Sequence, residues 1–115
     1  MEKLAKQSIL SYTKYDDPLA EEQIAGYLTR LPKWRMIYQE GNPRIERSFA
    51  FDDFLGALNF ANKVAEISEE AHHHPDLIIS WGKCIVRWWT FVYKRLHDND
   101  FIMAARTELL YKDQS

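Results

Sequence analysis

Three consecutive imidazoles and two carboxylates crowd into the stretch Glu69-Glu70-Ala71-His72-His73-His74-Pro75. Histidine titrates near neutrality, so it can take and give protons at working pH, and it also binds metals. Metal ligands on a helix need a spacing of three or four residues, and on a strand a spacing of two. Only His72 and His74 satisfy either rule, and only in extended backbone. No His-Glu-x-x-His or Cys-x-x-Cys accompanies them, so no metal site is expected. Acid–base chemistry is the sharper reading. Glu69 lies one helical turn before His73 on the same face, placed to orient that ring or to bind a polar ligand. The plainer alternative is a set of surface histidines at a helix C-terminus, where a cation complements the dipole. No serine or cysteine sits on a glycine elbow, which argues against a nucleophilic triad.

These residues need a scaffold, and the chain is long enough for one. Its 115 residues suit a single domain, with 46% hydrophobic and 28% charged residues in ordinary globular proportion. A net charge of -2 gives no general attraction to nucleic acid or anionic membrane. Lys83, Arg87, Lys94 and Arg95 near the tryptophans read as a solvated rim rather than a nucleic-acid surface. The lone Cys84 cannot form an internal disulfide and reads as a buried strand residue. No apolar run reaches membrane-spanning length, and Met1 to Lys6 lacks the apolar core of a signal segment, so a cytoplasmic protein is expected.

Residues 1–16 read as a loose arm, and 17–112 as one domain. Asp17 and Pro18 mark a helix start, with Ile24, Tyr27, Leu28 and Leu31 on one face and Pro32 at the end. Trp34, Met36 and Tyr38 alternate as in a half-buried strand, Glu40-Gly41-Asn42-Pro43 forms a four-residue turn, and Arg44 to Phe51 returns with Ile45, Phe49 and Phe51 inward. Asp52 or Asp53 caps a long helix to about Ala71, its stripe drawn from Phe54, Leu58, Ala61, Ala65 and Ile67. Pro75 pushes His74 into extended backbone, which leaves His73 at or near the helix end. Leu77 to Trp81 and Cys84 to about Phe91 read as strands joined at Gly82-Lys83, and Asp98 caps a last helix from Asn99 to about Leu110. The order α-β-β-α-β-β-α describes an α+β fold: a four-stranded antiparallel sheet with three helices on one face. Aromatic residues on the far face and at the edges predict a homo-oligomer, dimer or tetramer.

Several spaced motifs together resemble one family. They are Ser68-Glu69-Glu70-Ala71-His72-His73-His74-Pro75, Trp81-Gly82-Lys83, Trp88-Trp89-Thr90, and Leu96-His97-Asp98-Asn99-Asp100-Phe101-Ile102-Met103-Ala104-Ala105-Arg106-Thr107. The chain resembles pterin-4a-carbinolamine dehydratase over roughly residues 18–108, most closely the bacterial members that accompany phenylalanine hydroxylase. The resemblance implies a dehydratase without a cofactor, which removes water from 4a-hydroxytetrahydrobiopterin to give the quinonoid dihydropterin. It implies His73, His74 and Asp100 as catalytic residues, with Glu69, Pro75 and Trp81 at the substrate. His72 is then a surplus histidine. Phe91 stands where the family usually has a further histidine, directly after Thr90, and Arg95 where a loop glycine is usual. A phenyl ring transfers no proton, so the resemblance implies weakened catalysis, with Phe91 against the substrate. His97 reads as a solvent neighbour beside a helix start. Members of the family that act by binding, as assembly factors for ribulose-bisphosphate carboxylase or as dimerisation partners, supply the alternative.

Overall fold

A computed structural model describes residues 1–13, 16–92 and 94–112. Eight elements follow one another: α1 (Glu2–Ala5), α2 (Glu21–Arg30), β1 (Arg35–Gln39), β2 (Asn42–Ala50), α3 (Phe54–Ala71), β3 (Asp76–Ser80), β4 (Lys83–Trp88) and α4 (Asp98–Lys112). The α-β-β-α-β-β-α order therefore holds, preceded by a one-turn helix. The strands form one antiparallel sheet in the order β1-β2-β4-β3. Ile45 pairs with Met36 on one side and Trp88 on the other, and Asp76 pairs with Arg87.

The first hairpin is tighter than its sequence suggests, and the second is shifted by one residue. Gln39 pairs with Asn42, so the first turn is Glu40-Gly41, and both residues have positive φ. Asn42 and Pro43 already belong to β2. Pro43 lies beyond the stretch of β2 that pairs with β4, where its missing N–H costs that ladder nothing. The second turn is Trp81-Gly82, and Gly82 has φ +78° while its carbonyl accepts from Phe51 N. β4 stops at Trp88 instead of continuing to Phe91, because Thr90 turns to bridge Arg95 and to bond α4.

One face of the sheet carries the core. Ile45, Phe49, Val86 and Trp88 are fully buried against Phe60 and Val64 of α3 and Phe101, Ile102 and Met103 of α4. Phe49 lies 4.8 Å from the Phe60 ring and 4.9 Å from Tyr111. These contacts rotate α3 from the expected stripe: Ala57, Phe60, Ala61, Val64 and Ser68 face inward, while Phe54 and Ala65 are exposed. Both series have helical spacing, and the aromatic anchor at Phe60 decides between them. Tyr38 is exposed at the end of edge strand β1. α2 begins at Glu21, not Pro18, where the Gln23 side chain accepts from Ala20 N at 2.8 Å. It joins the core through Tyr27, stacked on Phe101 at 4.5 Å.

The N-terminal arm is not loose over its first thirteen residues. Leu4 is fully buried against α4, Arg106 donates to the carbonyls of Ala5 and Gln7, and the Asn99 side chain bonds both N–H and C=O of Leu10. Its polar composition hid one buried leucine and two side-chain clamps. The far face of the sheet carries a charged ladder beside the Trp89 ring. Burial alone would raise the Glu46 carboxyl, but N–H donation from Arg87 and Arg35 outweighs it and holds the group below the usual range. Arg44 pairs with Asp76 beneath the Trp89 ring.

Cys84 is fully buried on the core face, and burial pushes its thiol up to about 11. Two units above the usual value leave roughly 100-fold less thiolate at pH 8. Reaction with an aromatic disulfide reagent is expected to be at least that much slower in the native protein than in guanidinium. Equal rates would mean that the strand opens freely.

Candidate functional site

The histidine corner begins with the way α3 ends. His72 adopts left-handed backbone at φ 53°, so His73 N reaches back to Ser68 O at 3.1 Å and His72 N to Glu69 O at 3.3 Å. This closes the last carbonyls of the helix as glycine usually does. A side chain in that conformation costs about 1 kcal/mol. His72→Gly is therefore expected to stabilise the fold by about 0.5–1 kcal/mol, seen as a Tm higher by roughly 3–5 °C. A lower Tm would show that the His72 side chain holds something in place.

The turn at His72 and the extended backbone before Pro75 send the next two rings apart. His73 points inward and is 5% exposed, stacked parallel to Trp88 at 5.8 Å. Its Nε2 lies 2.6 Å from Asp100 Oδ1. Asp100 is fully buried, and its Oδ2 accepts from Thr90 Oγ1 at 2.8 Å and from His97 N at 2.9 Å. One carboxylate thus ties together the end of α3, the exit of β4 and the start of α4. His74 points outward, 60% exposed, and bonds Glu69. That bond and the His74 charge, helped by His72, hold the Glu69 carboxyl below its usual range. Glu69 thus serves His74 rather than His73, because the left-handed turn takes His73 off the helix face before a shared face can matter.

Asp100 also belongs to a helix cap. The first residue of α4 is Asp98, preceded by His97, whose Nδ1 accepts from Asn99 N at 3.1 Å while His97 N donates to Asp100. Asp100 supplies the N3 half of a capping box, while the histidine cap takes the N2 amide. Asp98, expected as the cap, instead accepts from Tyr27 Oη. His97 is 7% exposed and lies under the Tyr12 ring at 4.8 Å, so it is not a solvent neighbour. Its spacing of three residues before an acid was the available signal. Thr90 and Tyr12 carried no comparable signal.

Two of the expected substrate residues are exposed to solvent. Trp81 is 74% exposed at the far end of β3, seven residues of largely extended chain or roughly 20 Å from His74. Phe91 lies at the histidine end, beside Thr90, but is 70% exposed and meets Trp89 edge-on at 5.4 Å. It therefore does not fill the space near His73. Pro75 is half-buried where β3 begins. Among the described residues no three His, Cys, Asp or Glu side chains converge as a metal cage requires. The cavities at Arg47 and Glu108, at Tyr27 and Asp98, and at Ile67 and Arg106 do not touch His73 or His74. No described helix is long and apolar enough to cross a membrane.

The chain is thus an antiparallel α+β domain with a buried histidine–aspartate pair behind an exposed histidine. The family model described as Pterin 4 alpha carbinolamine dehydratase matches residues 17–110, and the chain belongs to that family. A protein of Microcystis aeruginosa named "Putative pterin-4-alpha-carbinolamine dehydratase" is 41% identical over 115 residues, covering 100% of this chain and 99% of its own. One of the same name from Marinobacter nauticus is 41% identical over 111 residues, 96% of this chain and 100% of its own. The crystal structure of a transcriptional coactivator/pterin dehydratase from Brucella melitensis superposes with TM-score 0.73 at 26% identity, covering 82% of this chain and 98% of that one. A pterin dehydratase-like protein identified as a RuBisCO assembly factor shares the fold, with TM-score 0.58 at 22% identity over 69% of this chain and 89% of its own.

Proposed function

We propose that the chain dehydrates 4a-hydroxytetrahydrobiopterin to the quinonoid dihydropterin, and so recycles the cofactor of an aromatic amino-acid hydroxylase. The observation that carries the reading is the buried pair His73–Asp100, fixed by Thr90 and His97, directly behind solvent-facing His74 and Glu69. In the reaction the C4a–O bond breaks, the hydroxyl leaves as water with a proton from an acid, N5 loses its proton to a base, and a C4a=N5 double bond forms. His74, bonded to Glu69, donates to the leaving oxygen. His73 gives its Nε2–H to Asp100 and keeps Nδ1 as the base. Asp100 is a positioning residue, and Pro75 packs beside the substrate. No further cofactor enters the reaction.

Phe91 supplies no third proton carrier, and its exposure favours slow catalysis over a blocked site. Titration with a stable 7,8-dihydropterin should shift the ring resonances of His73 and His74, and Phe91→His should raise turnover by about tenfold or more. No shift at either ring at saturating dihydropterin would refute binding at this corner. The exposure of Trp81, Phe91 and Val92 also favours a second reading, binding without turnover, and supports a homo-oligomer in either case. Shifts without turnover in the wild type would select that second reading.

A further inference from the structure

A cavity of about 560 Å³ lies between the last turns of α4 and the end of β2, and its floor is an ion pair with unused hydrogen-bonding capacity. Glu108 is eight residues along α4 from Asp100, roughly 12 Å of helix, so this is a different place from the histidine corner. Arg47 and Glu108 pair with side chains 9% and 12% exposed, and Glu108 Oε1 also accepts from Trp34 Nε1 at 2.9 Å. Two charges this deep are costly unless their remaining protons and lone pairs are used. Here, among the described residues, Arg47 donates only from Nη1, and Glu108 accepts only at Oε1. Nor are the unused atoms sealed in, since among the described residues the one buried side-chain polar atom without a partner is Arg44 Nε. Both residues line the cavity.

The surroundings fix this donor–acceptor pair in place. The Arg47 guanidinium lies 4.2 Å from the Phe49 ring and 5.1 Å from Tyr111. Tyr111 is held by its hydroxyl donating to Ala50 O at 2.9 Å, and stands edge-to-face with Phe51 at 5.5 Å. Both rings line the cavity, whose volume falls in the usual range for small-molecule sites.

We propose that this cavity binds a planar heteroaromatic lactam. A ring N–H donates to Glu108 Oε2, the adjacent carbonyl accepts from Arg47, and the ring packs against Phe51 and Tyr111. A ring edge that reverses the order, with an acceptor towards Glu108 and a donor towards Arg47, leaves both charges opposed and is rejected. The proposal is independent of the dehydratase reading.

Inosine and adenosine test it, because they share ribose and purine frame while only inosine presents N–H beside a carbonyl. Each is titrated into the full-length ¹⁵N-labelled protein while the Trp34 indole N–H, bonded to Glu108, is followed. A saturable shift with inosine, at least about tenfold tighter than with adenosine, is the expected result. In a Glu108→Gln protein shown by circular dichroism to be folded, the preference should fall below about threefold. Equal response to the two nucleosides, no response to inosine at its solubility limit, or an undiminished preference in folded Glu108→Gln would overturn the proposal.

Discussion

Replacing Asp100 by alanine is expected to destabilise the protein by about 3–5 kcal/mol, because several buried donors lose their shared acceptor at once. The size follows from the number of groups left behind. His73 Nε2, Thr90 Oγ1 and His97 N all donate to this one carboxylate, and His73 is 5% exposed, Thr90 fully buried. Each buried donor that loses its acceptor costs about 1–3 kcal/mol. Tm should fall by roughly 10 °C or more. Asp100→Asn keeps the shape and one acceptor oxygen, and should cost about half as much. Thermal unfolding of the two variants checks both numbers. A Tm within about 2 °C of wild type for Asp100→Ala would show that the three donors find other acceptors, and the corner would lose its hub.

The second large effect is on rate. His74→Ala removes an exposed ring that bonds exposed Glu69, so its structural cost should stay within about 0.5 kcal/mol. If His74 delivers the proton to the leaving hydroxyl, the same change should lower turnover by ~10²–10⁴. His73→Ala should lower it as much while also destabilising, because it strands Asp100. That contrast would separate the two histidines, one chemical and dispensable for folding, the other serving both. A His74→Ala protein with wild-type turnover would remove His74 from the chemistry.

Much of this corner was legible in the sequence because strong local rules act there. Pro75 forces the preceding residue to be extended, Asp53 caps α3, and the alternation around Ile45 and Phe49 leads to two hairpins and an α+β sheet. What the sequence did not reveal is direction. His72 takes a conformation that its residue type disfavours, and this single turn sends His73 in and His74 out. Spacing alone put Glu69 with His73, whereas the fold puts it with His74. Trp81 follows the histidines closely in sequence, but β3 carries it to the other end of the sheet. His97 and Tyr12 converge on Asp100 from a loop and from an arm that looked polar and free, since convergence of distant segments leaves no local pattern. The far face of the sheet was expected to carry aromatic residues and holds Trp89 together with a ladder of arginines and acids, because long charged side chains can pair across strands.

The most direct measurement is the rate at which freshly generated 4a-hydroxytetrahydrobiopterin loses water in the presence of the purified full-length protein, followed as quinonoid dihydropterin appears. Proton transfer from this corner predicts a rate above buffer that rises in proportion to protein concentration. A rate equal to buffer alone, from protein whose folding and dihydropterin binding have been verified, would contradict it.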